Sequence, residues 1–141
     1  MALYIEVKVK YTKRMENGKF RKVSEPYLAD ARSCTEAEAR VTKEVTRHIS
    51  GDFTVSAVKK TNIDEIFRDE TGDFWYSVKA NFITVNEKSN TEKLTPHFYL
   101  VQATDFETAL ENFQDGMKGT MADYVIASIS ETKIMDVFAA K

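Results

Sequence analysis

The sequence predicts an α+β fold: a tandem duplication of a ββαβ unit, with antiparallel sheets, one helix per unit and a pseudo-two-fold between the halves. Three observations predict it. The stretch "FTVSAVKKTNIDEIF" (53–67) returns as "YVIASISETKIMDVF" (124–138), keeping Thr61/Thr132, Ile63/Ile134 and Phe67/Phe138 and matching Phe53 with Tyr124, Val55 with Ile126 and Val58 with Ile129. The leading segments align in phase, with Leu3, Ile5, Val7, Val9 and Tyr11 over Phe74, Tyr76, Val78, Ala80 and Phe82. "EPYLADA" (25–31) lies over "HFYLVQA" (97–103). The repeats therefore run over about 3–67 and 74–138, inside one compact domain spanning 1–141. The short polar "RDETGD" (68–73) joins them without the length of a free linker. Each half has an apolar sheet face too small to stand alone, and two such units can share a core.

Each element has a local reason. Residues 3–11 alternate apolar and polar, the period of a half-buried strand. Asn17-Gly18 marks a hairpin, because both residues tolerate positive φ. The returning strand ends in "PYLADA" (26–31), where Pro26 suits an edge because it has no N–H to give. Ser33 with Glu36 three residues on is a capping-box pattern. Cys34, Ala37, Val41, Val45 and Ile49 then follow at helical spacing, and Gly51 is the expected stop. "FTVSAV" (53–58) is rich in strand formers. In the second half, 74–85 is the strand, "NEKSNTEK" the turn and 97–103 the return. A helix opens near Asp105 with Phe106, Ala109, Leu110, Phe113 and Met117 on one face. Gly116 and Gly119 end it.

Composition bounds the function. A chain of 141 residues is about one domain long, and burying roughly 68% of its unfolded surface gives a real core. One cysteine, Cys34, excludes an internal disulfide framework and fits a reducing, cytoplasmic setting. No apolar run reaches the ~20 residues of a membrane helix, and the start lacks a signal-peptide layout, so no membrane is expected. The net charge of −2 hides an asymmetry. Residues 1–72 hold 14 Lys and Arg against 12 Asp and Glu; residues 73–141 hold 6 against 10. Within 8–22 there are seven basic side chains and one acid, Glu16. Such a run is either the solvated tip of a hairpin or an anion-binding patch.

No catalytic constellation emerges. Cys34 falls on the apolar helix face, as a structural thiol does. His48 and His97 lie in different elements without metal-ligand spacing, so no metal and no cofactor is expected. "GMKGTMADY" (116–124) has glycine after a helix rather than before one, the wrong order and the wrong dipole end for a phosphate loop. Lys118 remains a ligand candidate there. The more informative feature is the polar side of the leading strands, where Tyr4 aligns with Trp75 and Lys8 with Lys79. An outward aromatic and a lysine four residues on, present in both halves, would suit a nucleobase with its phosphate. The same aromatics could instead cover a hydrophobic seam, such as a subunit interface.

The segments "KVKYTKRMENGKFRKVSEPYLADARSCTEAEARV" (8–41), "SGDFTVS" (50–56), "LVQA" (100–103), "GMKGTMADYVIAS" (116–128) and "ETKIMDVF" (131–138) resemble a small uncharacterised protein family, a domain of unknown function of Bacteroidetes and their phages. The resemblance supplies no catalytic residues. It implies a phage or mobile-element setting in a bacterial host cytoplasm. The resulting expectation is a non-enzymatic homo-oligomer that sequesters a small phosphorylated ligand, a host signalling nucleotide in a counter-defence role. Its candidate site residues are Tyr4, Lys8, Arg14, Arg21, Trp75, Lys79 and Lys118. A nucleic-acid binder is disfavoured by the acidic second half, since phosphate neutralisation dominates such affinity. An interaction or structural protein without a small ligand is the other alternative.

Overall fold

The structure, a computed structural model, describes residues 3–139. The elements in chain order are β1 (Tyr4–Arg14), β2 (Phe20–Asp30), α1 (Cys34–Thr46), β3 (Phe53–Lys60), β4 (Ile63–Phe67), β5 (Phe74–Asn86), β6 (Thr91–Ala103), α2 (Phe106–Gly116), β7 (Tyr124–Glu131) and β8 (Val137–Phe138). They form two four-stranded sheets, ordered β3-β1-β2-β8 and β4-β6-β5-β7. The fold is α+β, as the sequence predicts, with one helix on each sheet. The chain divides into unit 1, Met1–Thr61 with Lys133–Lys141, and unit 2, Asn62–Thr132.

The duplication extends to backbone detail. Val7 and Val78 are both fully buried. Val7 pairs with Tyr27 and Val58, and Val78 pairs with Tyr99 and Ile129. A register shift falls between Lys8 and Val9 against β3, and between Lys79 and Ala80 against β7. The Thr61 hydroxyl donates to the Tyr4 carbonyl at 2.6 Å, and the Thr132 hydroxyl to the Trp75 carbonyl at 2.8 Å. The two threonines kept in the repeated stretch therefore tie the end of the third strand to the start of the first. The Arg40 guanidinium donates to the Asp30 carbonyl, and the Asn112 amide donates to the Gln102 carbonyl at 3.0 Å, so each helix is pinned to its second strand in the same way.

Each repeat also carries a short fourth strand, and these strands are exchanged. β4, from the first repeat, pairs in parallel with β6 in unit 2; β8, from the second, pairs in parallel with β2 in unit 1. Strand direction explains the exchange. β3 and β2 both run antiparallel to β1, so β3 points the same way as the strand slot beside β2. One chain could fill both positions only through a crossover of about a dozen residues. Only Thr61 and Asn62 separate β3 from β4, so β4 cannot return to its own sheet. The sequence repeats at 3–67 and 74–138 are thus not the packed units, and each sheet is antiparallel except at its donated strand. The exchange places equivalent aromatic stacks, Phe138 on Tyr27 (centroids 5.6 Å apart) and Phe67 on Tyr99 (5.7 Å).

In unit 1, α1 lays Ala37, Val41 and Val45 on Ile5, Val7, Val9 and Tyr27, with Cys34 and Ile49 partly buried beside them. In unit 2, Phe113 and Met117 of α2 pack on Val78, Ala80, Tyr99 and Val101. Phe106 departs from the expected face and is 53% exposed, because it opens the helix beyond the edge of the cluster. The caps are as read: Ser33 accepts from the Glu36 N–H and Asp105 from the Thr108 N–H. Glu36 reaches back to the Arg32 N–H rather than to Ser33, and that bond, followed by Arg40, holds its carboxyl below the ordinary range. Gly51 is not the helix stop; α1 ends at Thr46, and Gly51 takes φ +99° in the loop to β3.

The 68–73 connection is hydrogen-bonded into unit 2. The Asp69 carboxylate accepts from Asn112 and Thr71, and Gln102 bridges the Asp69 N–H and the Gly72 carbonyl. Gly72 is buried there, and a Cβ on it would lie 2.5 Å from the Ala103 backbone. Backbone inside a sheet cannot yield cheaply. Gly72→Ala is therefore expected to destabilise by about 1–3 kcal/mol, read as a lower denaturation midpoint at unchanged slope.

Candidate ligand-binding face

The β1–β2 register decides which basic residues meet. Lys8 pairs with Pro26, Lys10 with Ser24, Thr12 with Lys22 and Arg14 with Phe20. Directly paired residues share a sheet face, so Lys8, Lys10, Arg14 and Lys22 project from the face opposite the helix. All four are exposed. Lys13 pairs with Arg21, and these two lie on the other face. Arg21 is thereby separated from Lys8 and Arg14, with which the sequence reading grouped it. The turn is the cause. Only Gly18 takes positive φ, at +80°; Asn17 does not, and its side chain accepts from the Lys19 N–H instead. Two bonds, Met15 N–H to the Lys19 carbonyl and Gly18 N–H to the Met15 carbonyl, close a five-residue loop over 15–19.

Where the start of β3 meets the later part of β1, a cleft of about 270 Å³ opens, lined by Lys10, Tyr11, Thr12, Lys22, Asp52, Phe53 and Thr54. Thr54 pairs with Lys10, so two ammonium groups and two hydroxyls border the opening on one side. Tyr11 and Phe53 also line it and pair with each other, but their rings lie on the helix side of the sheet, packed against the unit 1 core. The Tyr11 hydroxyl donates to Glu25 at 2.8 Å. Burial first, and then that bond, push its pKa up to about 12, so the phenol stays protonated. Chemically, the cleft offers ammonium and hydroxyl donors for an anion, with one carboxylate, Asp52, also in its lining. A second cavity, of about 440 Å³, lies against Lys13, Arg14, Met15, Glu16 and Asn17 at the hairpin end.

The other sequence-predicted residues fall elsewhere. Tyr4 is half-buried at the start of β1, on the same face as Lys8. Trp75 is only 2% exposed, with the Arg68 guanidinium 5.9 Å from its ring centroid. It is therefore not the open stacking surface that its alignment with Tyr4 predicts: the sheet face is already covered at its position. Lys79 is half-buried, and both it and Lys8 sit where the register shifts, which gives their spacing a structural reason. Lys118 follows α2, exposed, 3.0 Å from Asp115. Lys8, Arg14 and Arg21 belong to unit 1; Trp75, Lys79 and Lys118 belong to unit 2. His97 lies 3.0 Å from Asp64, an exposed pair linking β4 to β6.

Sequence reasoning passed over Lys10, Thr12, Lys22 and Thr54. The repeat itself holds the signal for them. The positions equivalent to Lys10, Thr12, Lys22 and Thr54 in the second half are Asn81, Ile83, Leu94 and Val125. The two copies keep their cores and diverge at this surface. Among the described residues, no group of three or more His, Cys, Asp or Glu could hold a metal ion, and no helix is long and apolar enough to cross a membrane. No curated protein and no solved structure matches the chain. The family described as "Domain of unknown function (DUF4494)" matches residues 3–140, nearly the whole length, and the chain belongs to that family.

Proposed function

We propose that the protein captures a small phosphorylated ligand on the basic face of unit 1 without turning it over. The observation that carries this reading is the gathering of Lys8, Lys10, Arg14 and Lys22 on one exposed face around a cleft that also presents Thr12 and Thr54. Of these cations the equivalent face of unit 2 keeps only Lys79, the counterpart of Lys8, so most of the charge is not a by-product of the fold. Lysines grip phosphate as point charges and Arg14 can add a two-point fork. Ammonium and hydroxyl donors together suit a phosphate, which makes nucleotides the first class to test. The resemblance to an uncharacterised family of Bacteroidetes and their phages supports a role in the host cytoplasm, sequestering a signalling nucleotide as a counter-defence. Calorimetry against a panel of mononucleotides, cyclic nucleotides and ADP-ribose tests the reading. Binding by at least one is expected, weakened tens-fold by Lys10→Ala or Lys22→Ala and changed less than about twofold by Arg21→Ala. The absence of any heat or thermal stabilisation across the panel overturns it.

A further inference from the structure

The cations of the unit 1 face stand at regular steps. Lys8, Lys10 and Arg14 occupy alternate positions of β1, and Lys22, paired with Thr12, fills the step between Lys10 and Arg14. Each step is two strand residues, about 6.8 Å, close to the reach from one phosphate to the next along a nucleic-acid strand. From Lys8 to Arg14 the row runs about 20 Å. Thr12, Ser24 and Thr54 stand among the cations as exposed hydroxyls. Phe20 stands at the end of the row. It pairs with Arg14, which puts it on the same face as Lys22, and it is 70% exposed, so the fold uses little of its ring. Acids bound the row. Glu6, one step before Lys8, is held by Lys59 at 3.3 Å, Glu16 follows Arg14 in the turn, and Asp52 borders the cleft beside Lys10. In the second repeat the positions of Lys8, Lys10, Lys22, Arg14 and Phe20 hold Lys79, Asn81, Leu94, Val85 and Glu92. Val85 and Glu92 pair as Arg14 and Phe20 do. Apart from Lys79, the same strands there carry neither the cations nor the ring.

We infer that this face is a track for a short single-stranded oligonucleotide, which lays its phosphates on Lys8, Lys10, Lys22 and Arg14 and stacks a base on Phe20. Such a track presupposes the phosphate site proposed for the same face and narrows its ligand. Cations that follow a backbone, with an aromatic ring to take a base, are how single strands are held without base pairing. The regular step selects a chain of phosphodiesters, since a lone phosphate would be satisfied by Lys10 and Lys22. The exposed ring selects an unpaired base, because a base stacked and paired inside a duplex cannot reach it. An extended acidic peptide could match the charges but has no flat ring for Phe20. The length of the row limits the strand to about four phosphates. A longer strand would run past it onto Glu6 or Glu16, in keeping with a chain whose net charge is −2.

Calorimetry of the full chain with a 5′-phosphorylated tetraadenylate, an abasic tetramer of the same charge, adenosine monophosphate and tetraglutamate tests this. The tetraadenylate should bind at least roughly tenfold more tightly than the monophosphate. Its affinity should fall with salt at a logarithmic slope of about −2.8, roughly −0.7 for each of four phosphates, and Lys10→Ala and Lys22→Ala should each make the slope shallower by about 0.7. Phe20→Ala should weaken the tetraadenylate by about fivefold or more and leave the abasic tetramer unchanged, while Phe20→Tyr keeps both. Because the ring is exposed, both variants should melt with the parent. A tetraadenylate that binds no more tightly than the monophosphate, with the monophosphate still dependent on Lys10 and Lys22, overturns the track and leaves the phosphate site standing. An abasic tetramer that binds as tightly as the tetraadenylate, or a Phe20→Ala variant that binds like the parent, does the same. Tetraglutamate binding as tightly would mark the face as a site for an acidic protein and also overturn the track. Failure of both the monophosphate and the tetraadenylate to bind removes the phosphate site itself, and the track with it.

Discussion

Phe113→Ala is expected to cost about 3–5 kcal/mol of folding stability. Phe113 is fully buried and is the largest fully buried side chain among the described residues. Its ring is surrounded by Tyr99 at 5.3 Å, Tyr124 at 5.8 Å and Phe67 at 6.0 Å between centroids. Removing it takes the shared member from three aromatic contacts and leaves a cavity that these rings, held by separate strands and the helix, cannot close. The equivalent position in unit 1 is Val41, also fully buried, where less volume is at stake. Chemical denaturation checks the value. A midpoint unchanged within error would mean that α2 is wrongly phased on its sheet.

Phe138→Ala and Phe67→Ala, the ring deletions on the exchanged strands, should each cost about 2–3 kcal/mol, below the fully buried value because both rings are only partly covered. Their locations distinguish exchange from its alternative. Phe138 belongs to the second repeat but stacks on Tyr27 in unit 1; Phe67 belongs to the first but stacks on Tyr99 in unit 2. Amide exchange should therefore accelerate at Leu28 and Ala29 for Phe138→Ala, and at Leu100 and Val101 for Phe67→Ala. Acceleration confined to the variant's own repeat would show that each fourth strand packs at home. Gly116 adds to the second case, since a Cβ on it would lie 2.7 Å from the Phe67 ring, so the glycine at the helix end is what admits the donated aromatic.

Much of this fold was legible because it was written twice. Val7 over Val78 and Tyr27 over Tyr99 could be aligned by eye, and the structure gives each pair the same ladder partners. The exchange was not legible, because the repeat shows that β4 and β8 are equivalent but says nothing of which sheet accepts them. That follows from strand direction and from the two residues between β3 and β4. The site was half legible. The basic run of 8–22 was plain, but its sorting into faces depends on whether the turn uses two residues or five, and a one-residue slip sends every side chain to the other face. Trp75 misled for a related reason: alternation shows that it faces away from the helix, not that this face is open.

The basic face of unit 1 is the central claim, and amide chemical shifts recorded on the full chain during titration with the tightest-binding nucleotide of the panel test it most directly. The account predicts shifts concentrated at Lys10, Thr12, Lys22 and Thr54, extending toward Lys8 and Arg14, with Asn81, Ile83, Leu94 and Val125 unmoved. Shifts that cluster instead around Lys79, Lys118 or Arg21, with the 10–12, 22 and 54 amides silent, would contradict it.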